Sequence, residues 1–371
     1  LLMIEINEMN RWFKLSQEVY ANLADPLSKA IFTARMQYNF SNSYKSLFDM
    51  VELSPSFAGK ASGREALRER LQQINKQNGT RLIIYGAGWF GGTLFDLFDK
   101  VEWYAFCDKD ISKIGTTYFS LPVISPQELI VHHKNDYVVI SSPFIYEEVY
   151  KELQGLGFPE DHIIFENILP QFQSSSGYQC DTINQYFEAP IIVPQSNEVF
   201  IDAGCCDCGT SLLFREWCGG NYDKIYAFEP DPQSYERCQT IINQEQLHNI
   251  ELLNAGAWSC DDQLRFNSTG NGASSISSEG AISINVRSID SVLQGERATF
   301  IKLDIEGAEL QALKGARETI VKHRPRLAVC VYHKPEDMLE IQLYLQSLVP
   351  DYKFYIRHYS NFWYETVLYA V

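Results

Sequence analysis

The sequence has no apolar run of the length a membrane-spanning helix needs, so insertion into a bilayer is not expected. Positive charge is scarce: 31 Lys and Arg stand against 47 Asp and Glu, a formal net charge of −16. A surplus of that sign repels phosphate backbones and anionic lipid surfaces, which argues against nucleic acid as substrate or partner. No repeat of solenoid period is present. The opening LLMIEINEMNRW has no basic region, and Glu5 and Glu8 stand where a secretory leader would be apolar. A framework of spaced cysteine pairs is missing too: the nine cysteines are odd in number, and Cys205, Cys206 and Cys208 crowd one turn. Reduced thiols and a cytoplasmic setting are expected. A helix-initiating turn offers poor tetrahedral geometry, so these cysteines read as packing thiols and no metal site is assigned.

What is present divides the chain. A length of 371 residues exceeds one ordinary core, which predicts two domains plus extra segments. Residues 1–79 read as a helical segment, with helix formers in REALRERLQQI and a break around SPSFAGKASG. Residues 80–168 read as a small Rossmann-like α/β domain: a strand RLIIY, a glycine turn GAGWFGG, a helical TLFDLF, then strands at WYAFCD and DYVVISS. The Ser-, Gln- and Asn-rich QFQSSSGYQCDTINQ predicts a linker over 169–189. Residues 190–371 form a second α/β series, with strands at EVFIDAG, KIYAFEP, NIELLNA, TFIKLDI, PRLAVCVYH, YKFYIRH and TVLYAV. Within it, the polar STGNGASSISSEGA between LRF and ISINV reads as a hairpin insertion.

In an open parallel sheet, ligands bind beyond the carboxyl ends of the strands. The first strand of the second series ends at Asp202-Ala203-Gly204 and the next at Glu229 in AFEPDP. A carboxylate at the second position accepts both hydroxyls of a ribose, a glycine lets the backbone approach a ligand, and Asp202 suits a cationic amino group. The plainer alternative is that Asp202 caps the following helix and Glu229 is a solvated strand end. A third cluster lies in FIKLDIEGAELQALKGA, which brings Lys302, Asp304 and Glu306 to one strand-to-loop junction with Glu309 on the helix after it. His333 ends the fifth strand; most histidines are structural, but one at that edge is a base candidate.

FIDAG, AFEPDP, the KLDIEGAE run with its trailing KGA, and YHKPEDM together resemble the FkbM family of S-adenosylmethionine-dependent methyltransferases over about 199–371. The resemblance implies a class I methyltransferase fold, a mostly parallel Rossmann-like sheet with an antiparallel last strand. It also implies O-methylation of a hydroxyl on a sugar, polysaccharide precursor or other small metabolite. On that reading Asp202, Gly204 and Glu229 hold S-adenosylmethionine. Asp304 and His333 position the acceptor or take its proton, and Lys302, Glu306 and Glu309 support them. Mg²⁺ on these acids suits their hard oxygen donors but is not the favoured reading. One departure stands out: Cys208 occupies a place where the family usually has glycine, with Gly209 directly after it.

In the first α/β domain, Gly86, Gly88 and Gly91 spell G-x-G-x-x-G between a strand and a helix, and Asp108 ends the next strand about twenty residues on. This resembles the Rossmann-type domain attached to certain sialic-acid-type acetyltransferases, which implies a nucleotide or sugar-nucleotide there. The alternative is that the glycines only permit a tight turn. Two rival functions remain in the sequence: a nicotinamide-dependent enzyme working through this domain, and a catalytically silent binding protein whose cofactor turn Cys208 has altered.

Overall fold

Helix-forming stretches with spaced apolar residues open the chain as α1 (Leu2–Asn22), α2 (Pro26–Ser41), α3 (Tyr44–Leu53) and α4 (Gly63–Asn75). The computed structural model describes residues 2–57, 63–142, 144–166, 179–270, 274–277 and 279–371. Parts of three stretches read from the sequence, SPSFAGKASG, QFQSSSGYQCDTINQ and STGNGASSISSEGA, lie outside the described residues. The chain divides into two units, Gln37–Gln179 and Leu1–Met36 with Cys180–Val371.

The Gln37–Gln179 unit contains, in chain order, β1 (Leu82–Tyr85), α5 (Trp89–Leu97), β2 (Trp103–Cys107), β3 (Thr117–Tyr118), β4 (Leu121–Ile124), α6 (Pro126–His132), β5 (Tyr137–Ile140), α7 (Tyr146–Gly155) and β6 (Ile163–Ile164). They build a six-stranded sheet in the order β3-β4-β2-β1-β5-β6, parallel except for the β3–β4 pair. The apolar run of β1 follows from burial on both faces. Leu82 and Ile84 pack with Leu94 and Leu97 of α5 and Leu71 of α4, while Ile83 and Tyr85 pack with Leu129 and Leu153 of α6 and α7.

The other unit continues with β7 (Glu198–Ala203), α8 (Gly209–Trp217), β8 (Tyr222–Phe228), α9 (Pro232–Gln244), β9 (Ile250–Leu253), β10 (Gly256–Ala257), β11 (Asp262–Asn267), β12 (Ser275–Ile276) and β13 (Ile282–Arg287). It ends with α10 (Ile289–Leu293), β14 (Phe300–Leu303), α11 (Glu309–Lys314), α12 (Arg317–His323), β15 (Arg326–Cys330), α13 (Asp337–Leu348), β16 (Phe354–His358) and β17 (Thr366–Ala370). Its seven-stranded sheet runs β16-β17-β15-β14-β7-β8-β9, with β17 antiparallel to both neighbours and the other pairings parallel. This is the class I methyltransferase order, in which the chain leaves β7 in one direction and returns to β14 on its other side. The switch point therefore lies between the carboxyl ends of β7 and β14. A separate four-stranded sheet, β10-β13-β11-β12, holds the inserted hairpin.

Two segments differ from the sequence reading. The 1–79 stretch is divided between the units: Val19, Leu23, Ile31 and Phe32 are buried in the C-terminal unit, Gln342 donates to the Val19 carbonyl, and Arg357 grips the Asp25 carboxylate. Residues 180–189, expected to be linker, pack into that unit as well. The sequence between the polar residues carries Tyr186 and Phe187, and the Phe187 ring meets Phe300 edge-on at 5.9 Å. Burial of such rings outweighs the disorder their polar neighbours suggest.

Candidate active site

The turn after β7 is tied down from beneath. Lys302 and Asp202 are paired in register on β14 and β7, both fully buried, and their side chains meet at 3.2 Å. The Lys302 ammonium also donates to the Gly204 carbonyl at 2.7 Å, and the other Asp202 oxygen accepts from the Ser211 hydroxyl at 2.7 Å. Burial lowers the Lys302 pKa, but Asp202 and Asp304 outweigh it and hold the amine charged. Asp202 thus serves the turn from below rather than facing the cleft above it. Gly204 sits at φ +82°, where a Cβ would collide with the Asp304 carbonyl oxygen. Cys206 (φ +51°) and Cys208 (φ +58°) are left-handed as well, a conformation costing a non-glycine residue about 1–2 kcal/mol. That geometry is the physical reason a glycine suits the Cys208 position.

Glu229, just past β8, lines a cleft with Gly204, Cys206, Phe228, Pro230 and Asp304; the cleft encloses about 660 Å³ counting its open mouth. Its two carboxylate oxygens accept from the Cys206 and Asp231 amides, each at 2.8 Å. Burial pushes its pKa up to about 7 against the pull of those amides. The inserted hairpin adds Phe266, Ser274, Ser275 and Ile276 to the wall.

On the β14 side, the Asp304 carboxylate accepts from the Tyr186 hydroxyl at 2.8 Å and the Tyr332 hydroxyl at 3.2 Å. Burial raises the Asp304 pKa, but Lys302 and His333 more than offset this and hold it below the usual carboxylate range. His333 is buried among acids: 3.0 Å from Glu309, and 3.6 Å from both Asp304 and Glu306. Burial favours the neutral ring, yet its contacts with Glu306 and Glu309 win and push the pKa up to about 11. The ring is therefore an imidazolium at neutral pH. Glu309 is wholly buried and also accepts from the Ile305 amide at 2.9 Å, which folds the loop over β14. Glu306 is left-handed at φ +54° and partly exposed beside the cleft.

Residues 202–354 match the family model described as the methyltransferase FkbM domain. The C-terminal unit carries an FkbM methyltransferase domain. Residues 78–164 match a second model, C2185-like, N-terminal. Among solved structures, the chain is similar to methyltransferase FkbM from Methylobacillus flagellatus KT, at 22% identity and TM-score 0.47, covering 82% of this chain and 93% of that one. It is also similar to an rRNA methylase from Streptococcus thermophilus, at 13% identity and TM-score 0.32, over 48% of this chain and 90% of that one. A Streptococcus mutans protein in complex with SAH shows 13% identity and TM-score 0.30, over 48% of this chain and 92% of that one. The curated proteins contain no match. No helix among the described residues is long and apolar enough to cross a membrane.

The residues of the FkbM domain fit S-adenosylmethionine. Glu229 presents an anchored carboxylate at the cleft wall, and Gly204 brings bare backbone to it. Sequence reasoning missed Tyr186 and Tyr332, which fix Asp304, and the hairpin residues that close the cleft. Tyr186 lies in a stretch whose polar neighbours hide it, whereas Tyr332, adjoining His333 at the end of β15, could have been found by the same strand-end argument.

In the Gln37–Gln179 unit, Gly86 has φ +111° and Gly91 packs where a Cβ would strike the Gly86 carbonyl, so both glycines are required by the turn itself. Gly88 is extended and a Cβ there would meet nothing within 4 Å. Asp108 turns back on the loop, accepting from the Ala87 amide at 2.8 Å and pairing with Lys113 at 3.1 Å.

Proposed function

We propose that the chain transfers the methyl group of S-adenosylmethionine to a hydroxyl oxygen of a sugar, polysaccharide precursor or other small metabolite. The observation that carries this reading is Asp304: an ionised carboxylate, oriented by two tyrosine hydroxyls, lining the same cleft as Glu229. The cofactor supplies an electrophilic methyl on a sulfonium. Glu229 accepts the ribose hydroxyls, and the turn at Gly204 leaves room for the rest. Asp304 receives the acceptor hydroxyl and aligns its oxygen. As the new C–O bond forms, the oxygen becomes strongly acidic, so even a carboxylate of low pKa takes its proton. His333 serves as the counter-charge that keeps Asp304, Glu306 and Glu309 together. Lys302 and Asp202 hold the turn in shape.

The Gly86–Gly91 turn is proposed as a separate nucleotide or sugar-nucleotide site. Open space at Gly88 and the exposed rings of Trp89, Phe119 and Phe144 in the same unit support it, since planar rings stack on a base. A reducing, cytoplasmic setting is proposed from the cysteine pattern of the sequence. The test is incubation with methyl-labelled S-adenosylmethionine and matched panels of hydroxylated sugars, sugar-nucleotides and amines, with products located by mass spectrometry. Label on oxygen is expected. Label confined to nitrogen, or no cofactor binding, would overturn the reading.

A further inference from the structure

In the sequence Cys205 and Cys208 read as packing thiols, because a helix-initiating turn offers poor tetrahedral geometry and no paired Cys or His set lies nearby to add a ligand. The fold supplies one: Cys238, on α9, brings its sulfur to 3.7 Å from that of Cys205. The Cys205, Cys208 and Cys238 sulfurs all lie within 4.8 Å of one another, and all three residues are buried. A tetrahedral site with metal–sulfur bonds of about 2.3 Å has sulfurs about 3.8 Å apart, close to the observed Cys205–Cys238 spacing. A second observation points the same way. Cys208 holds a left-handed backbone and stands as the N-cap of α8, a position that favours glycine by conformation and Ser, Thr, Asp or Asn by capping. Its side chain makes no capping bond and lies instead against the other thiols. A backbone strained to place a sulfur there suggests that the sulfur has a use.

We propose that Cys205, Cys208 and Cys238 bind a thiophilic d¹⁰ cation, zinc or cuprous copper, beneath the cofactor turn. Binding replaces the thiol protons, so coordination by all three releases three protons and leaves three thiolates on the ion. The α8 N-terminus favours that negative charge. The site would brace α9 against the turn whose Cys206 amide holds Glu229, so an ion there stiffens the cofactor cleft from behind.

The test uses the full chain, kept reduced, with bound metal measured by elemental analysis and the metal-free protein titrated with Zn²⁺ and with Cu⁺ against a competing chelator. About one ion per chain is expected, and Co²⁺ should give a thiolate charge-transfer band. X-ray absorption separates the ions: a fourth light-atom ligand for zinc, sulfur alone for copper. Cys208→Gly is the decisive variant, because glycine suits φ +58° and removes one ligand without endangering the fold. It and Cys238→Ala should weaken binding about a hundredfold or more, while Cys218→Ala and Cys260→Ala should not. Metal binding equal in wild type and Cys208→Gly would overturn the proposal. So would a reduced chain that binds neither ion, or one isolated with a Cys205–Cys238 disulfide that takes no metal after reduction.

Discussion

The backbone amide of Cys206 donates to Glu229 Oε2 at 2.8 Å, so the turn after β7 and the acid after β8 are one structural piece. Because burial lifts Glu229 to about pH 7, a cofactor whose ribose hydroxyls donate to it must favour the carboxylate and expel a proton on binding below that pH. S-adenosylmethionine affinity should rise with pH up to about 7 and then level. Calorimetry in buffers of different ionisation heat measures the proton directly. Glu229→Ala should weaken binding more than about a hundredfold, at about 1.5–3 kcal/mol for each lost charged hydrogen bond, and should abolish the pH dependence. Wild-type affinity in that variant would rule out the ribose role.

The buried Lys302–Asp202 pair predicts an asymmetric cost. Lys302→Met leaves a wholly buried carboxylate whose remaining side-chain partner among the described residues is the Ser211 hydroxyl, and such broken pairs cost about 3–5 kcal/mol. The Lys302→Met, Asp202→Asn double variant should recover part of that loss, because no charge is stranded. Denaturant unfolding of the three proteins checks this, and an unchanged midpoint for Lys302→Met would contradict it.

Much of this was legible in the sequence because it is local. The strands around Asp202, Glu229 and Asp304 are short apolar runs ending in acids, and a parallel sheet gathers such endings at one edge. What stayed hidden depends on distant partners. His333 reads as a base in isolation and becomes an imidazolium only when Glu306 and Glu309 surround it. Asp202 reads as a ligand until Lys302 is found across the strand pair. Tyr186 reaches Asp304 from a segment whose composition resembles a linker, and Cys238 reaches Cys205 from another helix.

The three glycines of the Gly86–Gly91 turn should respond differently. Gly91→Val must push into the Gly86 carbonyl, and overpacking of this kind costs about 1–3 kcal/mol or more. Gly88→Val meets open space on an extended backbone, so its melting temperature should stay near wild type. If the turn holds a nucleotide, Gly88→Val should lose the thermal shift given by that ligand while keeping the shift given by S-adenosylmethionine. A destabilised Gly88→Val protein would count against the open space, and loss of both shifts together would count against separate sites.

The roles of Asp304 and His333 are distinguished by pH. If His333 were the proton acceptor, turnover would rise through about pH 6.5 as an ordinary imidazole loses its proton. Its acids instead hold the ring charged up to about 11, so turnover at saturating cofactor should be level through neutrality and decline only as that value is approached. The stability linkage has the same sign. A raised pKa contributes stability that is complete below the unfolded value near 6.5 and is lost as pH climbs through about 11. Asp304→Asn should lower single-turnover methyl transfer about a hundredfold or more with cofactor affinity nearly unchanged, the usual scale for loss of a positioned proton acceptor. His333→Ala should damage the same step by letting Asp304, Glu306 and Glu309 repel one another, and the double variant should be little worse than the worse single, since the two act through one carboxylate. A turnover that rises through about pH 6.5 in wild type and loses that rise in His333→Gln would return the base to His333 and remove Asp304 from the proton's path.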